Sequence, residues 1–184
     1  AENLAAGLLR LAQWQPGTPL PDPLCGSGTI AIEAALIALH IAPGMKRTFG
    51  FQKLAWYDGS AWQKIKQNAQ RRAQTAAPAK IHARDMDDIA IHQCHVNIDA
   101  AGVAGAIVLE QADLLTATAP EAQGTVVTNP PYGVRLAGSL ALADFYPRLG
   151  DTLKQRSSGR RALHFAGEPR LHELNRSTAR RRAP

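Results

Sequence analysis

One stretch of this chain constrains its fold more than any other. A short extended segment, Thr18 to Asp22, runs through Asp22-Pro23-Leu24-Cys25-Gly26-Ser27-Gly28-Thr29 directly into an apolar helical pattern that reaches about Ile41. A strand that empties through a glycine-rich turn into a helix is the opening of a strand–helix–strand unit. The rest of the chain continues the alternation. Glu2 to Ala12 reads as a helix with an apolar face of Leu4, Leu8, Leu9 and Leu11, closed by the Trp14-Gln15-Pro16-Gly17 turn. Pro43-Gly44 opens an irregular stretch, and Ser60 is expected to cap a helix over Ala61 to Thr75. A strand over Lys80 to Arg84 leads to a helix capped by Asp87 that ends near Ala101-Gly102. Strands are predicted over Ala106–Glu110, Thr125–Thr128 and Arg161–Ala166, with a helix over Leu140–Leu153. Strands separated by helices, without tight hairpins, imply an α/β fold: a doubly wound, mostly parallel sheet.

At 184 residues the chain is long enough for one substantial core, and one domain over residues 1–175 is expected, followed by a basic tail over 176–184. No apolar run approaches a membrane span and no secretory signal opens the chain, so no membrane partner is expected, while two isolated cysteines fit a reduced, cytoplasmic setting. The first residue is Ala1, inside a helical pattern, which reads as an excerpt of a longer protein. Cys25 and Cys94 stand alone without ligand spacing, so neither a metal site nor a disulfide framework is indicated. Charge is uneven. Residues 1–150 hold 12 Lys/Arg and 12 Asp/Glu, whereas residues 151–184 hold 9 and 3 and carry the whole net charge of +6. Lys154, Arg156, Arg160 and Arg161 form one cluster and Arg176, Arg180, Arg181 and Arg182 another. Such a block attracts phosphate backbones, although a solvated tail has the same composition. The aromatic stretch from Phe49 to Trp62 is read as core or lid packing.

Two motifs carry chemistry. Gly26-Ser27-Gly28-Thr29-Ile30-Ala31 satisfies the dinucleotide-binding pattern G-x-G-x-x-A. That reading needs an acidic residue about 20 positions on. The acidic candidate, Asp85, lies 57 residues after Gly28, and the dinucleotide reading leaves the second motif unexplained. This second motif is Asn129-Pro130-Pro131-Tyr132, directly after the strand pattern Thr125–Thr128. Its residue types suit methyl transfer to a planar, poorly nucleophilic nitrogen. The Asn129 side-chain carbonyl and the Pro130 backbone carbonyl can each accept one N–H of an NH2 group, pulling the nitrogen toward tetrahedral geometry and stabilising its developing charge. Prolines fix φ and remove competing donors, and Tyr132 gives an extruded base a face to stack on. The plainer alternative is a Pro-Pro loop after a strand.

With these motifs in hand, the chain resembles the class I S-adenosylmethionine-dependent methyltransferases. Within them it is most similar to the RNA guanine-N2 methyltransferases whose catalytic domain follows a THUMP RNA-binding domain, in particular those acting on bacterial large-subunit ribosomal RNA. The likeness runs through Glu2–Ala6, Asp22–Thr29, the helix start Gly28–Ala35, Asp85-Met86-Asp87, Ala112-Asp113-Leu114 and Asn129–Gly133. It implies a Rossmann-like methyltransferase domain using S-adenosyl-L-methionine. It also implies the site residues. Asp22 and the backbone of Cys25, Gly26 and Gly28 would border the methionine part of the cofactor. Asp85 would accept from both ribose hydroxyls, Asp113 from the adenine amino group, and Met86 and Leu114 would sandwich the ring. Asn129, Pro130 and Tyr132 would be catalytic. Asp85 as a turn residue and Asp113 as a loop acid are the plainer alternatives.

The resemblance further implies RNA as partner, with an additional THUMP-like domain outside this chain. Asn-Pro-Pro-Tyr also serves adenine-N6 methyltransferases acting on DNA and enzymes that methylate a protein glutamine amide, and an inactive RNA-binding module with this fold is a non-enzymatic rival. Two departures from the family pattern have structural consequences. Pro21 sits where an apolar strand residue is usual and forfeits a ladder bond. No seventh, antiparallel strand is evident before Pro184.

Overall fold

The computed structural model describes residues 2–121, 123–130, 145, 147–152 and the backbone of 161–164. The elements are α1 (Glu2–Leu11), β1 (Leu20–Asp22), α2 (Thr29–Ala38), a 3-10 turn (Gly50–Lys53), α3 (Gly59–Arg72), β2 (Ile81–Asp85), α4 (Asp88–Ala101), a second 3-10 turn (Ala104–Ala106), β3 (Ile107–Gln111), β4 (Thr125–Thr128) and β5 (Arg161–His164). Phe145 and residues 147–152 are helical. All strand pairs are parallel. β1 registers Leu20 with Ile81 on β2, β2 registers Ile81 with Ile107 on β3, and β4 registers Thr125 with Arg161 on β5. β4 lies beside β1, so the strand order is β3-β2-β1-β4-β5. This is the doubly wound parallel α/β sheet that the alternation predicts.

Pro21 accounts for the break between the two halves of the sheet. In a parallel ladder, alternate residues turn both N–H and C=O to the same neighbour. The Leu20 N–H donates to Lys80 O on the β2 side (3.2 Å), and Pro19 O accepts the Thr125 N–H on the β4 side (3.0 Å). The next donor toward β4 belongs to residue 21, and proline has none. Gly124 permits the close approach, because a Cβ there would lie 2.7 Å from Pro19 O.

Alanines set the spacing of helix on sheet. Ala31, Ala34, Ala35 and Ala38 of α2 are buried against Leu20, Ile81 and Ala83, and Cys94 and Ile98 of α4 fill the adjoining space. Leu8, Leu9 and Trp14 from the α1 region close the outer side of α2. Each buried leucine contributes on the order of 1.5–3 kcal/mol.

Several expectations need correction. The helix expected to reach Ile41 ends at Ala38, because His40 takes φ 54° and the Ile41 N–H folds back onto Leu36 O (2.9 Å). Asp58, not Ser60, caps α3: its Oδ1 accepts from the backbone N–H groups of Ser60 and Ala61. The stretch Phe49 to Trp62 is not core, since neither the Gly50–Lys53 turn nor α3 buries a residue. The strand predicted over Arg161–Ala166 is present over Arg161–His164, and residues 165 and 166 lie outside the described residues. Residues 140–144, 146 and 153 of the expected Leu140–Leu153 helix, the boundary at residue 175, the basic tail and any seventh strand lie outside the described residues. Among the described residues no helix is long and apolar enough to cross a membrane, and no group of His, Cys, Asp or Glu is arranged to hold a metal ion.

Candidate functional site

The chain moves outward from β1 to β2 and β3, then returns to place β4 on the other side of β1. In open α/β sheets the crevice outside the carboxyl ends of strands at such a reversal is where ligands bind. Asp22 ends β1 there and Thr128-Asn129-Pro130 ends β4. Four buried side-chain oxygens at this edge have no hydrogen-bond partner among the described residues: Asp22 Oδ1 and Oδ2, Thr128 Oγ1 and Asn129 Oδ1. An orphaned buried polar atom costs roughly 1–3 kcal/mol, so a cluster of them marks a place that a donor-bearing ligand would satisfy.

Asp22 is 1% exposed, and burial pushes its carboxyl from 3.8 up to about 7. The nearby Thr128 hydroxyl and Leu24 N–H favour the carboxylate, but neither reaches hydrogen-bond geometry with it, and the charge of Asp85 opposes ionisation. A cationic ligand group would relieve this burial.

The glycine-rich turn beside Asp22 is tied to its surroundings through its backbone. The Cys25 N–H donates to Arg84 O at 2.8 Å, the Gly26 N–H donates to Asp85 Oδ2 at 2.9 Å, and Asn97 Nδ2 donates to Ser27 O at 2.9 Å. Gly26 (φ 53°) and Gly28 (φ 84°) both occupy the left-handed region that glycine adopts without strain. At Gly28 space is also limiting: a Cβ would lie 2.5 Å from Cys94 Sγ. The two cysteines that stand 69 positions apart in sequence therefore meet beneath the turn, both buried and both free thiols. The neighbouring Cys94 thiol, and then burial, push the Cys25 thiol up.

Asp85, at the end of β2, is already an acceptor on both oxygens, from Gly26 N–H and from Asp87 N–H (3.1 Å). A carboxylate offers about four lone-pair sites, so acceptor capacity for a diol remains. Asp87 caps α4 by accepting the Ile89 N–H, as its position before the helix suggests. Met86 is 65% exposed at the rim, its carbonyl held by Gln111 Nε2 (3.1 Å), and Ile89 beside it is also exposed. Asp113 caps its own turn, accepting the Leu115 N–H at 2.8 Å, and is half-buried together with Leu114. A cleft of about 540 Å³, counting its open mouth, lies on the other face of the sheet against Pro21, His82, Arg84 and Val126. It reaches Asp22 and Leu114 but not Gly26, Asp85 or Met86, so it adjoins the predicted cradle without being it.

Asp22, Cys25, Gly26, Gly28, Asp85 and Met86 thus share one edge with Asn129 and Pro130, and Pro130 is fully buried. Tyr132, with Pro131 and Gly133, lies outside the described residues. Sequence reasoning missed Cys94 and Asn97, which brace the turn from α4. Their i, i+3 spacing puts them on one helix face, but only the packing of α4 shows which face that is.

The family model described as the UPF0020, RMKL-like methyltransferase domain matches residues 1–184. The ribosomal RNA large subunit methyltransferase K/L of Chromohalobacter salexigens is 39% identical over 92% of this chain and 25% of its own length. Two solved structures superpose along 98% of the chain. SMU.472, solved in complex with S-adenosylhomocysteine, does so with TM-score 0.89 and 29% identity over 48% of that chain. A Listeria monocytogenes protein described as an N6-adenine-specific DNA methylase does so with TM-score 0.88 and 33% identity over 47% of that chain. The chain spans less than half the length of the curated relatives it matches, 44% and 25%. Match along the whole sequence and superposition along nearly all of it agree: the chain belongs to the UPF0020 family of RMKL-like methyltransferase domains.

Proposed function

We propose that this domain binds S-adenosyl-L-methionine at the carboxyl ends of β1 and β2 and methylates an exocyclic amine of RNA, with guanine N2 as the acceptor. The observation that carries the reading is the set of orphaned acceptor oxygens on Asp22 and Asn129, where β1 and β4 end side by side. The residues fit the cofactor: a buried carboxylate for a cationic centre, a glycine turn with no Cβ to intrude, the Asp85 carboxylate for a ribose diol, and apolar Met86 and Leu114 for an adenine ring. Bound there, the cofactor supplies an electrophilic methyl on a sulfonium, which needs no metal and no strong base at the acceptor.

The chain's own residues have three tasks. Asn129 Oδ1 and the Pro130 carbonyl each accept one amine N–H, which turns the nitrogen lone pair toward the methyl and stabilises charge as it develops. Tyr132 stacks on the base and holds it in line. The buried floor formed by Thr128 and Pro130 keeps water from the reacting atoms. An RNA-recruiting domain outside this chain, THUMP-like in type, would choose the nucleotide.

The rival reading, adenine N6 in DNA, draws on the description of the Listeria relative and on the same two acceptors. The test is incubation with radiolabelled S-adenosylmethionine and unmodified ribosomal RNA or DNA, followed by digestion and identification of the labelled nucleoside. Label in N2-methylguanosine is the expected result. Label in N6-methyladenine of DNA would overturn the RNA reading, and label in neither, with no cofactor affinity by calorimetry, would overturn the methyltransferase reading.

A further inference from the structure

The zero net charge of residues 1–150 conceals a second basic region. Residues 46–72 hold seven Lys/Arg and one Asp, while the rest of residues 1–150 hold five Lys/Arg and eleven Asp/Glu. The single acid, Asp58, is spent as the cap of α3, where its Oδ1 takes the backbone N–H groups of Ser60 and Ala61 and the Ser60 hydroxyl. Lys46 is also spent, its Nζ donating to Ala100 O at 2.8 Å. Lys53, Lys64, Lys66, Arg71 and Arg72 make no ion pair with a carboxylate among the described residues. None of the residues of α3 is buried and none is acidic.

Aromatic rings stand among these cations. Trp62 of α3 meets Phe49 (5.8 Å, 84°) and Phe51 (5.1 Å, 86°) edge to face, and Phe49 and Phe51 stack at 5.6 Å. This cluster holds the turn before α3 against the helix without joining the core. Trp56 takes no part in it and is 78% exposed, and Leu54 and Ile65 are exposed as well. A bare indole among five unpaired cations suits one partner chemistry above others. Cations neutralise phosphates along a backbone, and an exposed aromatic face stacks on an unpaired base whatever its identity. A membrane surface fits less well, because α3 offers only Trp62 and Ile65 as large apolar side chains among its Gln, Asn, Lys and Arg residues.

The region is moored at the edge of the sheet away from Asp22 and Asn129. Lys46 binds the C-terminal end of α4, and the Gln74 N–H, just past α3, donates to Leu39 O at the C-terminal end of α2 (2.7 Å). Both helices run back from the carboxyl ends of the strands, so these anchors sit on the order of 15 Å from the site, the length of a five-residue strand. We propose that α3 and the turn carrying Trp56 are an RNA-docking surface separate from the catalytic edge. It binds single-stranded RNA through the phosphates at Lys64 and Arg71 and a base on Trp56. The inference rests on the RNA reading above.

Binding of a short fluorescein-labelled single-stranded RNA to the full chain, followed by anisotropy across a salt series, tests it. The variants are Lys64→Glu with Arg71→Glu, and separately Trp56→Ala. All three side chains are exposed, and unchanged S-adenosylhomocysteine affinity by calorimetry reports an intact fold. The charge-reversal pair is expected to weaken RNA binding by about tenfold or more and to lower the slope of log K against log salt by about 1.4, the share of two single-strand phosphates. Trp56→Ala is expected to weaken binding by roughly 5- to 150-fold at every salt concentration, the scale of one lost base stack. In a methylation assay both changes raise KM for RNA and leave kcat intact. Wild-type affinity and an unchanged slope in both variants would overturn the docking surface and leave the RNA reading standing. A wild-type chain with no salt-dependent RNA affinity would overturn both.

Discussion

Gly28 and Cys94 approach so closely that a Cβ on the glycine would lie 2.5 Å from the cysteine sulfur, beneath a turn where Gly28 itself takes φ 84°. Two separate constraints meet at one residue. A side chain in the left-handed region costs roughly 1–2 kcal/mol, and forcing an atom into filled space costs roughly 1–3 kcal/mol. Gly28→Ala is therefore expected to lower stability in urea by roughly 2–5 kcal/mol. Cys94→Ala removes the sulfur and leaves its Cβ in ordinary contact at 3.6 Å. In that background Gly28→Ala should cost only the backbone component. Equal costs in the two backgrounds would show that the sulfur does not set the limit.

The Asp22 carboxyl gives a pH signature with a definite sign. Burial raises it from 3.8 to about 7 in the folded chain. Between those values the unfolded chain has already lost the proton and the folded chain still holds it. The stability from this group is complete below the lower value and is lost as pH rises through about 7. Asp22→Asn removes the titration, so its unfolding free energy relative to wild type should grow from pH 4 to pH 8, by up to about 4 kcal/mol. Parallel pH profiles for the two proteins in urea unfolding would rule the assignment out.

Asp85 reaches across 59 residues to hold Gly26, and its other oxygen orders Asp87 at the start of α4. Replacing it with alanine removes both restraints as well as the acceptor for a diol. The expected result is a loss of S-adenosylhomocysteine affinity of at least tenfold by calorimetry, a little over 1.4 kcal/mol. Asp85→Asn keeps one acceptor oxygen and should fall between. Unchanged affinity in Asp85→Ala would remove this residue from the cofactor site.

Asn129 offers a contrasting test, because its orphaned Oδ1 faces the acceptor and not the cofactor in the proposed arrangement. Asn129→Ala should leave cofactor affinity within about twofold while lowering single-turnover methyl transfer by about 10²–10³-fold, the usual effect of deleting one group that stabilises developing charge. Full transfer activity in the variant would sink the proposed mechanism.

Pro21 predicts a gain. Its missing N–H is the next donor due from β1 to β4. Pro21→Val would supply it, together with a residue suited to strands, and should stabilise the fold by about 1 kcal/mol, with a slowly exchanging amide at position 21. A rapidly exchanging amide there would mean that the two halves of the sheet are held apart by something other than the proline.

The alternation of apolar periods and the Asp22–Thr29 wording determined by themselves that the chain forms a parallel α/β sheet with a glycine turn after its first strand. These are local signals, since strand and helix periods, caps such as Asp87 and turn residues such as Gly102 act within a few positions of themselves. Thr125–Thr128 was legible to the residue for the same reason. Only the tertiary structure decided that β4 lies against β1, which brings Asp22 and Asn129 to one edge although 107 positions separate them. It likewise decided that Cys25 and Cys94 meet, that Asp85 holds Gly26, and that Trp56 faces solvent. Burial and long-range hydrogen bonding depend on which faces pack together. A ring such as Trp56 has the same composition whether the sheet covers it or leaves it bare.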